Sequence, residues 1–230
     1  MENEIVNQVV QEQTLLQNMA LFMDEGGIFM WIILLIWTIG IGISVERLRA
    51  LWVYDIDGDN LMERVKKHVL LNEVKQAIVL CSNSKALLAQ VLKNGLKRAN
   101  QSKEQIEDAT HATILEVMPQ VEKRVPHLAL IANISTLMGL LGTIYGLIQS
   151  FSAVATADPA SKAKLLALGI SKAMNTTAMG LLSAISIMVI HSLLTSKSDK
   201  ILGEIEEFSV KLVDILGTQK CRAKVGKDNE

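Results

Sequence analysis

Three long runs without a charged residue limit this chain to a fold that crosses a membrane. They cover residues 26–45, 127–157 and 173–196. A helix rises 1.5 Å per residue, so about 20 residues cross a hydrocarbon layer of roughly 30 Å. Each run is long enough for one crossing, and the sequence therefore predicts three transmembrane helices.

The composition favours helix in the remaining segments as well. Half of the 230 residues are hydrophobic, only 4% are aromatic, and there are three prolines. Abundant Leu, Ile, Val and Ala with little Pro favours helical structure. The net charge of −1 and the lack of a basic patch argue against a nucleic-acid-binding protein. We predict an all-α integral membrane protein.

The charges of the loops predict how the chain is oriented in the membrane. Residues 1–25 contain five acidic side chains and no Lys or Arg, whereas residues 46–124 contain thirteen Lys and Arg. Basic loops stay on the cytoplasmic side, so the N-terminus is expected outside and residues 46–124 inside. The acidic start of the chain also argues against a secretory signal peptide.

These expectations divide the chain into seven segments. In order they are an outer amphipathic helix (1–25), the first span (26–45), a cytoplasmic helical region (46–126), the second span (127–157), an outer turn with the start of the next helix (158–172), the third span (173–196), and a cytoplasmic helix with a tail (197–230).

The second and third spans are expected to continue into helices outside the membrane. Pro119 and Pro126 are expected to kink or reset the helix that enters the second span. After the third span, apolar residues form a helical stripe that should pack on helices of the same chain or of another copy. The stripe is Ile201, Leu202, Ile205, Phe208, Leu212, Ile215 and Leu216.

No metal or disulfide site is predicted. The acidic residues 55–60 resemble a calcium loop, but Lys66 stands where such a loop requires Glu, so we expect a turn and a helix cap. Cys81 and Cys221 lie in segments assigned to the cytoplasm, where free thiols are the rule.

Two hydroxyl side chains, Thr143 and Thr177, are candidates for a shared site. If the chain reverses near Ala160, both lie seventeen residues from the turn and therefore at the same depth in antiparallel helices. A single Thr in a membrane helix usually bonds to a carbonyl of the preceding turn. Two hydroxyls at matched depth favour a polar helix interface instead.

Small and hydroxyl residues surround this pair on both spans. Thr136, Thr143 and Ser150 recur every seven residues and so lie on nearly one face. Glycines permit close approach of membrane helices, and we assign them to helix packing. These glycines are Gly139, Gly142, Gly146 and Gly180, and Thr176 is a further hydroxyl beside them.

The three spans contain no Asp or Glu. A membrane carrier of protons or sodium ions needs an ionisable group at depth, so a partner protein would have to supply it. Clustered His, paired acids and a nucleophile with its base are also missing from plausible depths, which argues against an enzyme. No cofactor is predicted.

At this point the sequence resembles the MotA/TolQ/ExbB proton-channel family, and within it the ExbB/TolQ branch. The resemblance lies in Gly-Leu-Leu-Gly-Thr-Ile-Tyr-Gly at residues 139–146, Thr-Ala-Met-Gly-Leu at residues 177–181, and the three-span layout. It is strong over residues 128–208 and architectural before them.

The resemblance implies a function and an assembly. It implies a homopentameric ring in the bacterial inner membrane around two copies of a single-span partner like ExbD, TolR or MotB. An Asp of that partner would carry the ion, and side chains of this chain would line the pore beside it. Ion flow would then drive TonB, Tol, gliding or related machinery. The hydroxyls assigned to the ion path are Thr143, Thr177, Thr136, Ser150 and Thr176.

Two residues depart from the ExbB/TolQ pattern. Lys172 stands at the predicted pore mouth where those proteins usually have Glu, and Thr136 stands where they tend to have Pro. Asp158 is a candidate partner for the Lys172 ammonium. Proton and sodium both remain open as the ion, and a membrane scaffold that anchors a cytoplasmic helical domain without conducting ions is the alternative function.

Overall fold

The computed structural model describes residues 20, 22–23 and 26–227, with side chains described as far as Thr218. The described residues form helices and no strand, in agreement with the predicted all-α class. The helices are α1 (Ile28–Tyr54), α2 (Gly58–Leu70), α3 (Val74–Ser82), α4 (Leu87–Lys97), α5 (Lys103–Glu122), α6 (Val125–Thr156) and α7 (Lys162–Lys227). The amphipathic helix predicted at residues 1–25 lies almost entirely outside the described residues.

Three helical stretches are long and apolar enough to cross a membrane, in agreement with the three predicted spans. They contain α1, α6 and the first part of α7. On α1 the large apolar side chains Trp31, Leu35 and Ile39 follow each other at every fourth residue, and each is more than half exposed. An exposed apolar stripe is what a helix in contact with lipid presents, because acyl chains solvate it.

The entry into the second span is a sharp break between α5 and α6. Helix α5 includes Pro119 and ends at Glu122, and Arg124 then adopts a left-handed backbone conformation with φ 62°. Pro126 follows in the first turn of α6, where its missing N–H would have had no helical partner. The helix is therefore reset next to Pro126, as predicted, whereas it continues through Pro119.

The described residues up to Ser44, together with Pro126–His191, form one compact unit, made by the three spans. Gly40 of α1 marks a point where all three helices meet, since a Cβ there would lie 2.7 Å from Ile187 and 3.2 Å from Ile131. Near it, the indole Nε1 of Trp37 donates a hydrogen bond to Ser186 Oγ at 2.8 Å. These contacts tie α1 to α6 and α7.

Residues Val45–Val125, together with the described residues from Ser192 onward, form the second compact unit. Phe208 of α7 fills the space beside Gly58, and Leu212 and Thr110 fill the space beside Gly95. The predicted apolar stripe of α7 is thus used inside the chain. Its buried members are Ile201, Ile205, Phe208, Leu212 and Leu216.

The helix starts in this unit follow local capping rules. Asp57 accepts a hydrogen bond from the backbone N of Asn60 at 3.1 Å, so the acidic segment is a turn with a helix cap, as predicted. Ser102 and Gln105 form a reciprocal capping box at the start of α5. Within the described residues, no group of His, Cys, Asp and Glu side chains could hold a metal ion.

Helix α7 is a single helix of 66 residues, so the helix that contains the third span continues beyond residue 196, as predicted. Its backbone remains helical to Lys227, past Cys221, where the sequence places a tail. Cys81 is a free thiol and is buried. The side chain of Cys221 lies outside the described part of the chain, so its predicted state stays a prediction.

Candidate ion-path site

Glycine contacts hold α6 and α7 at backbone distance. A Cβ on Gly180 would lie 2.8 Å from both Gly139 Cα and Ser135 O, and one on Gly146 would lie 3.0 Å from Ala173 Cβ. At Gly180 a methyl group would overlap the backbone of α6, and at Gly146 it would make a contact tighter than ordinary van der Waals distance. The glycines therefore pack the two helices, as the sequence predicts.

This close approach brings Thr143 and Thr177 together. Thr177 Oγ1 lies 3.3 Å from Thr143 Oγ1 and 3.0 Å from the carbonyl oxygen of Gly139, so its proton can go to either acceptor. Thr143 Oγ1 donates to the Leu140 carbonyl at 2.6 Å. Both side chains are half-buried. Thr143 thus makes the ordinary bond within its own helix, but Thr177 bonds across the interface, as the matched distance from the turn predicts.

The other hydroxyls occupy two different environments. Thr136 is exposed and donates to Ala132 O at 3.2 Å. Ser150 is buried against Gly169 and donates to Gly146 O at 2.7 Å. Thr176 is also buried, donating to Lys172 O at 3.1 Å. Ser150 and Thr176 therefore lie inside the chain rather than on a surface open to a pore.

Helix geometry explains why Thr136, Thr143 and Ser150, although spaced seven residues apart, differ in exposure. Seven residues fall about 20° short of two full turns in a straight α-helix. From Thr136 to Thr143 to Ser150 the side chains therefore rotate steadily towards α7. The first is exposed, the second half-buried and the third buried.

Lys172 lies beside the start of α1. Its Cε and Nζ are each 3.4 Å from the position that a Cβ on Gly27 would occupy. Gly27 itself has φ 68°, a conformation that side chains rarely adopt. No ion pair joins Lys172 to Asp158 in the described structure, so the suggested pairing is not formed. The Lys172 side chain instead packs beside Gly27, at the start of α1.

The helix register allows the depth of the hydroxyl pair to be inferred. The run at 26–45 just matches one hydrocarbon thickness, and its middle lies between Leu35 and Ile36. The Trp37–Ser186 bond places this level near Ala184, which is also the middle of the run at 173–196. Gly139 of α6 contacts Gly180 of α7, and the two helices are antiparallel. Ala184, four residues after Gly180, is therefore level with Ser135, four residues before Gly139.

The Thr143–Thr177 pair therefore lies off the membrane centre. Thr143 is eight residues beyond Ser135, which corresponds to about 12 Å along α6 towards its C-terminal end. A central position would follow if the longer run at 127–157 projected equally from both faces. The contacts with α1 instead imply that the C-terminal end of this run projects further than its N-terminal end.

A charged cluster lies just beyond the first span. Glu46 contacts Arg124 and, at 3.3 Å, Arg47. Partial desolvation raises the pKa of Glu46, but Arg124 and then Arg47 outweigh this effect, and the net pKa is lowered. Arg47 is buried, with its Nε unpaired and a long contact of 3.5 Å to Gln120 O. The sequence indicated Arg47 only as an orientation signal and gave no sign of its burial.

Comparison with known proteins identifies a family and several relatives that this chain resembles. The profile of the MotA/TolQ/ExbB proton channel family matches residues 83–207, more than half of the chain. The chain is 38% identical over 100 residues to the biopolymer transport protein exbB1 of Vibrio cholerae, covering 44% of each chain. It is 32% identical over 97 residues to the Tol-Pal system protein TolQ of Pseudomonas aeruginosa, covering 42% of each. The chain thus spans less than half the length of these relatives.

Proposed function

Because this chain belongs to the MotA/TolQ/ExbB proton channel family, we propose that it is an inner-membrane ring subunit of an ion-driven motor. The family comprises membrane channel and energy-transducing proteins rather than enzymes, which agrees with the sequence. The observation that carries the proposal is the hydroxyl pair of Thr143 and Thr177, held at the interface of two spans that contain no carboxylate.

The proposed assembly supplies the missing acid from a second protein. Five copies of this chain would surround two copies of a single-span partner of the ExbD or TolR kind, and an Asp of the partner would bind and release the ion. The relatives named for biopolymer transport and for the Tol-Pal system support this class of machinery. The motor would energise a periplasmic or outer-membrane process, with protons as the proposed ion.

The hydroxyl pair suits a carboxylate that changes its charge. Thr177 has two alternative acceptors for its proton, at 3.0 and 3.3 Å, so a small rotation re-aims the O–H without breaking the helix contact. An ionised partner carboxylate beside the pair would accept a hydrogen bond and be stabilised. Protonation would remove the charge, lower the cost of facing apolar surface and let the partner move on.

The orientation belongs to the same proposal. The acidic N-terminus and the basic residues 46–124 support a periplasmic N-terminus and a cytoplasmic position for α2–α5. Lys172 would then lie on the periplasmic side, at the outer mouth of the ion path. Of the predicted pore-lining hydroxyls, Thr143, Thr177 and Thr136 remain in the proposal, whereas the burial of Ser150 and Thr176 assigns those two to packing.

The test removes both hydroxyls while keeping the side-chain shape. We expect the variant Thr143→Val/Thr177→Val to lose about tenfold or more in ion-driven work, since a hydrogen bond to a charged group contributes about 1.5–3 kcal/mol. Thr38→Val is the matched control, because Thr38 is an exposed hydroxyl of α1 that, within the part of the chain the structure describes, bonds only to Leu34 O, at 2.8 Å. Native mass spectrometry would show whether the ring still assembles.

Two results would overturn the proposal. Normal ion-driven work by the double variant would exclude the hydroxyl pair from the ion path. A monomeric chain, or one that works equally well after the membrane potential is abolished, would favour the scaffold function instead.

A further inference from the structure

The side chain of Asn133 is an unexplained polar group on the surface of α6. It is exposed. Within the described residues its side-chain amide makes no hydrogen bond. Its neighbours Ala132 and Ile134 are apolar, and the run at 127–157 contains no charged residue. Local helix chemistry does not satisfy this amide, because Asn lacks the short hydroxyl with which Ser and Thr reach a preceding carbonyl.

The depth of Asn133 makes its exposure significant. Ser135 lies at the level of the membrane centre according to the contacts of α6 with α7 and of α7 with α1. Asn133 is two residues away, about 3 Å along the helix axis. An unpaired amide at the centre of the acyl chains is strongly unfavourable, because hydrocarbon offers no hydrogen bond. Its surroundings must therefore be wet or polar.

The direction of the side chain separates it from the α1 side of the helix. Ile131 contacts the Gly40 position on α1 at 3.2 Å. Two residues later the helix has turned by about 200°, so Asn133 points away from α1. Each residue adds about 100° of rotation around the helix axis, so Thr136 lies about 60° and Thr143 about 80° from the direction of Asn133. Both lie on the side of α6 nearer to α7. The three polar side chains form one stripe along α6.

We propose that Asn133 and Thr136 line a water-filled inner half of the ion path, which runs from the Thr143–Thr177 pair through the membrane centre towards the cytoplasm. This inference rests on the proposed function. The Asn133 amide would donate to and accept from the water around a passing hydrated cation or proton. The polar wall on the chain would then extend about 15 Å, ten residues of helix, instead of being confined to the threonine pair.

Cysteine labelling tests whether the stripe is wet. The native thiols are first removed by Cys81→Ala and Cys221→Ala, and N133C, T136C or I134C is then introduced. Ile134 is the matched control, because it lies at the same depth but on the flank towards α1. A membrane-impermeant, positively charged methanethiosulfonate reagent is applied to native-membrane vesicles with either face outward.

We expect N133C and T136C to react at least about tenfold faster than I134C from the cytoplasmic face, because thiols in water react as thiolates and thiols in lipid do not. Equally slow reaction of all three variants would overturn the proposal. So would a disulfide between copies at N133C that forms readily while the reagent has no access, since Asn133 would then lie at a contact between subunits.

A second measurement separates water from structure. We expect N133Q to retain ion-driven work, and N133L, which keeps the branched side-chain shape without the polar atoms, to lower it about tenfold while the ring still assembles. Equal activity of the two variants would contradict a polar role. Failure of this inference is distinguishable from failure of the proposed function, because labelling reports water at Asn133 and Thr143→Val/Thr177→Val reports ion-driven work.

Discussion

Adding one methyl group at Gly180 perturbs the helix contact on which the hydroxyl site depends. In Gly180→Ala the new Cβ would lie 2.8 Å from Gly139 Cα and from Ser135 O, and 3.2 Å from Gly139 N. All three atoms belong to the backbone of α6, so no side chain can rotate away. The helices must separate until these distances reach the 3.4 Å or more of an ordinary contact.

Two opposing effects decide the size of the change. Replacing a helical Gly by Ala stabilises the helix by up to about 1 kcal/mol. Overpacking a tight contact costs about 1–3 kcal/mol, and the bond of Thr177 to Gly139 O, now 3.0 Å, would be stretched as well. We therefore expect Gly180→Ala to destabilise the folded chain by about 1–2 kcal/mol, and to weaken ion-driven work.

The matched control is Gly42→Ala. Gly42 lies in α1 at membrane depth, and a Cβ there meets nothing within 4 Å. The Gly42→Ala variant should gain the full helix propensity of Ala, so its folded state should be slightly more stable than that of the unaltered chain. Denaturant unfolding of both variants in the same detergent gives the comparison. If Gly180→Ala proved as stable as Gly42→Ala, the backbone contact between α6 and α7 would be looser than described, and the reasoning would be refuted.

Two further predictions concern the second unit. Burial raises the pKa of the Cys81 thiol to about 11. In a folded Cys221→Ala variant, where Cys81 is the remaining thiol, maleimide labelling should therefore be slow at pH 8 and accelerate as the pH approaches 11. Fast labelling of this variant at pH 8 without denaturant would contradict the burial. Because the folded pKa lies above the unfolded value, this thiol also favours folding below about pH 9 and that contribution is lost as the pH rises further. Phe208→Ala should cost about 3–5 kcal/mol in unfolding free energy, since Phe208 is 4% exposed and packs on Gly58. The exposed Val210 on the same helix provides the control Val210→Ala, which should change stability by less than about 0.5 kcal/mol, and equal effects of the two substitutions would show that Phe208 is not a core residue.

The pairing of Thr143 with Thr177 was predictable because it depends on a count. Equal distances from a turn fix equal heights on two antiparallel helices, and glycines at the same heights permit close approach. The three spans and the extension of α7 were predictable for a similar reason. The length of an apolar run can be read directly from the sequence. Predicting the spans and the extension of α7 therefore does not require the positions of other side chains.

Exposure and depth were not predictable in the same way. The burial of Ser150 depends on where α7 lies around α6, which a seven-residue repeat does not specify. The depth of Thr143 depends on α1, since only the contacts of α1 show how the longer run at 127–157 is placed. Asn133 did carry a sequence signal, as an amide within a charge-free run, but its importance follows from its exposure at the membrane centre.

The close contact between Gly139 and Gly180, which have no side chains, also restricts where the proposed assembly can flex. Two helices locked backbone to backbone behave as one stiff element, and they offer no slack for a step within a single copy. In the proposed ring, the free energy released by each passing ion would therefore have to drive sliding at the interfaces between neighbouring subunits, or between the ring and its central partner.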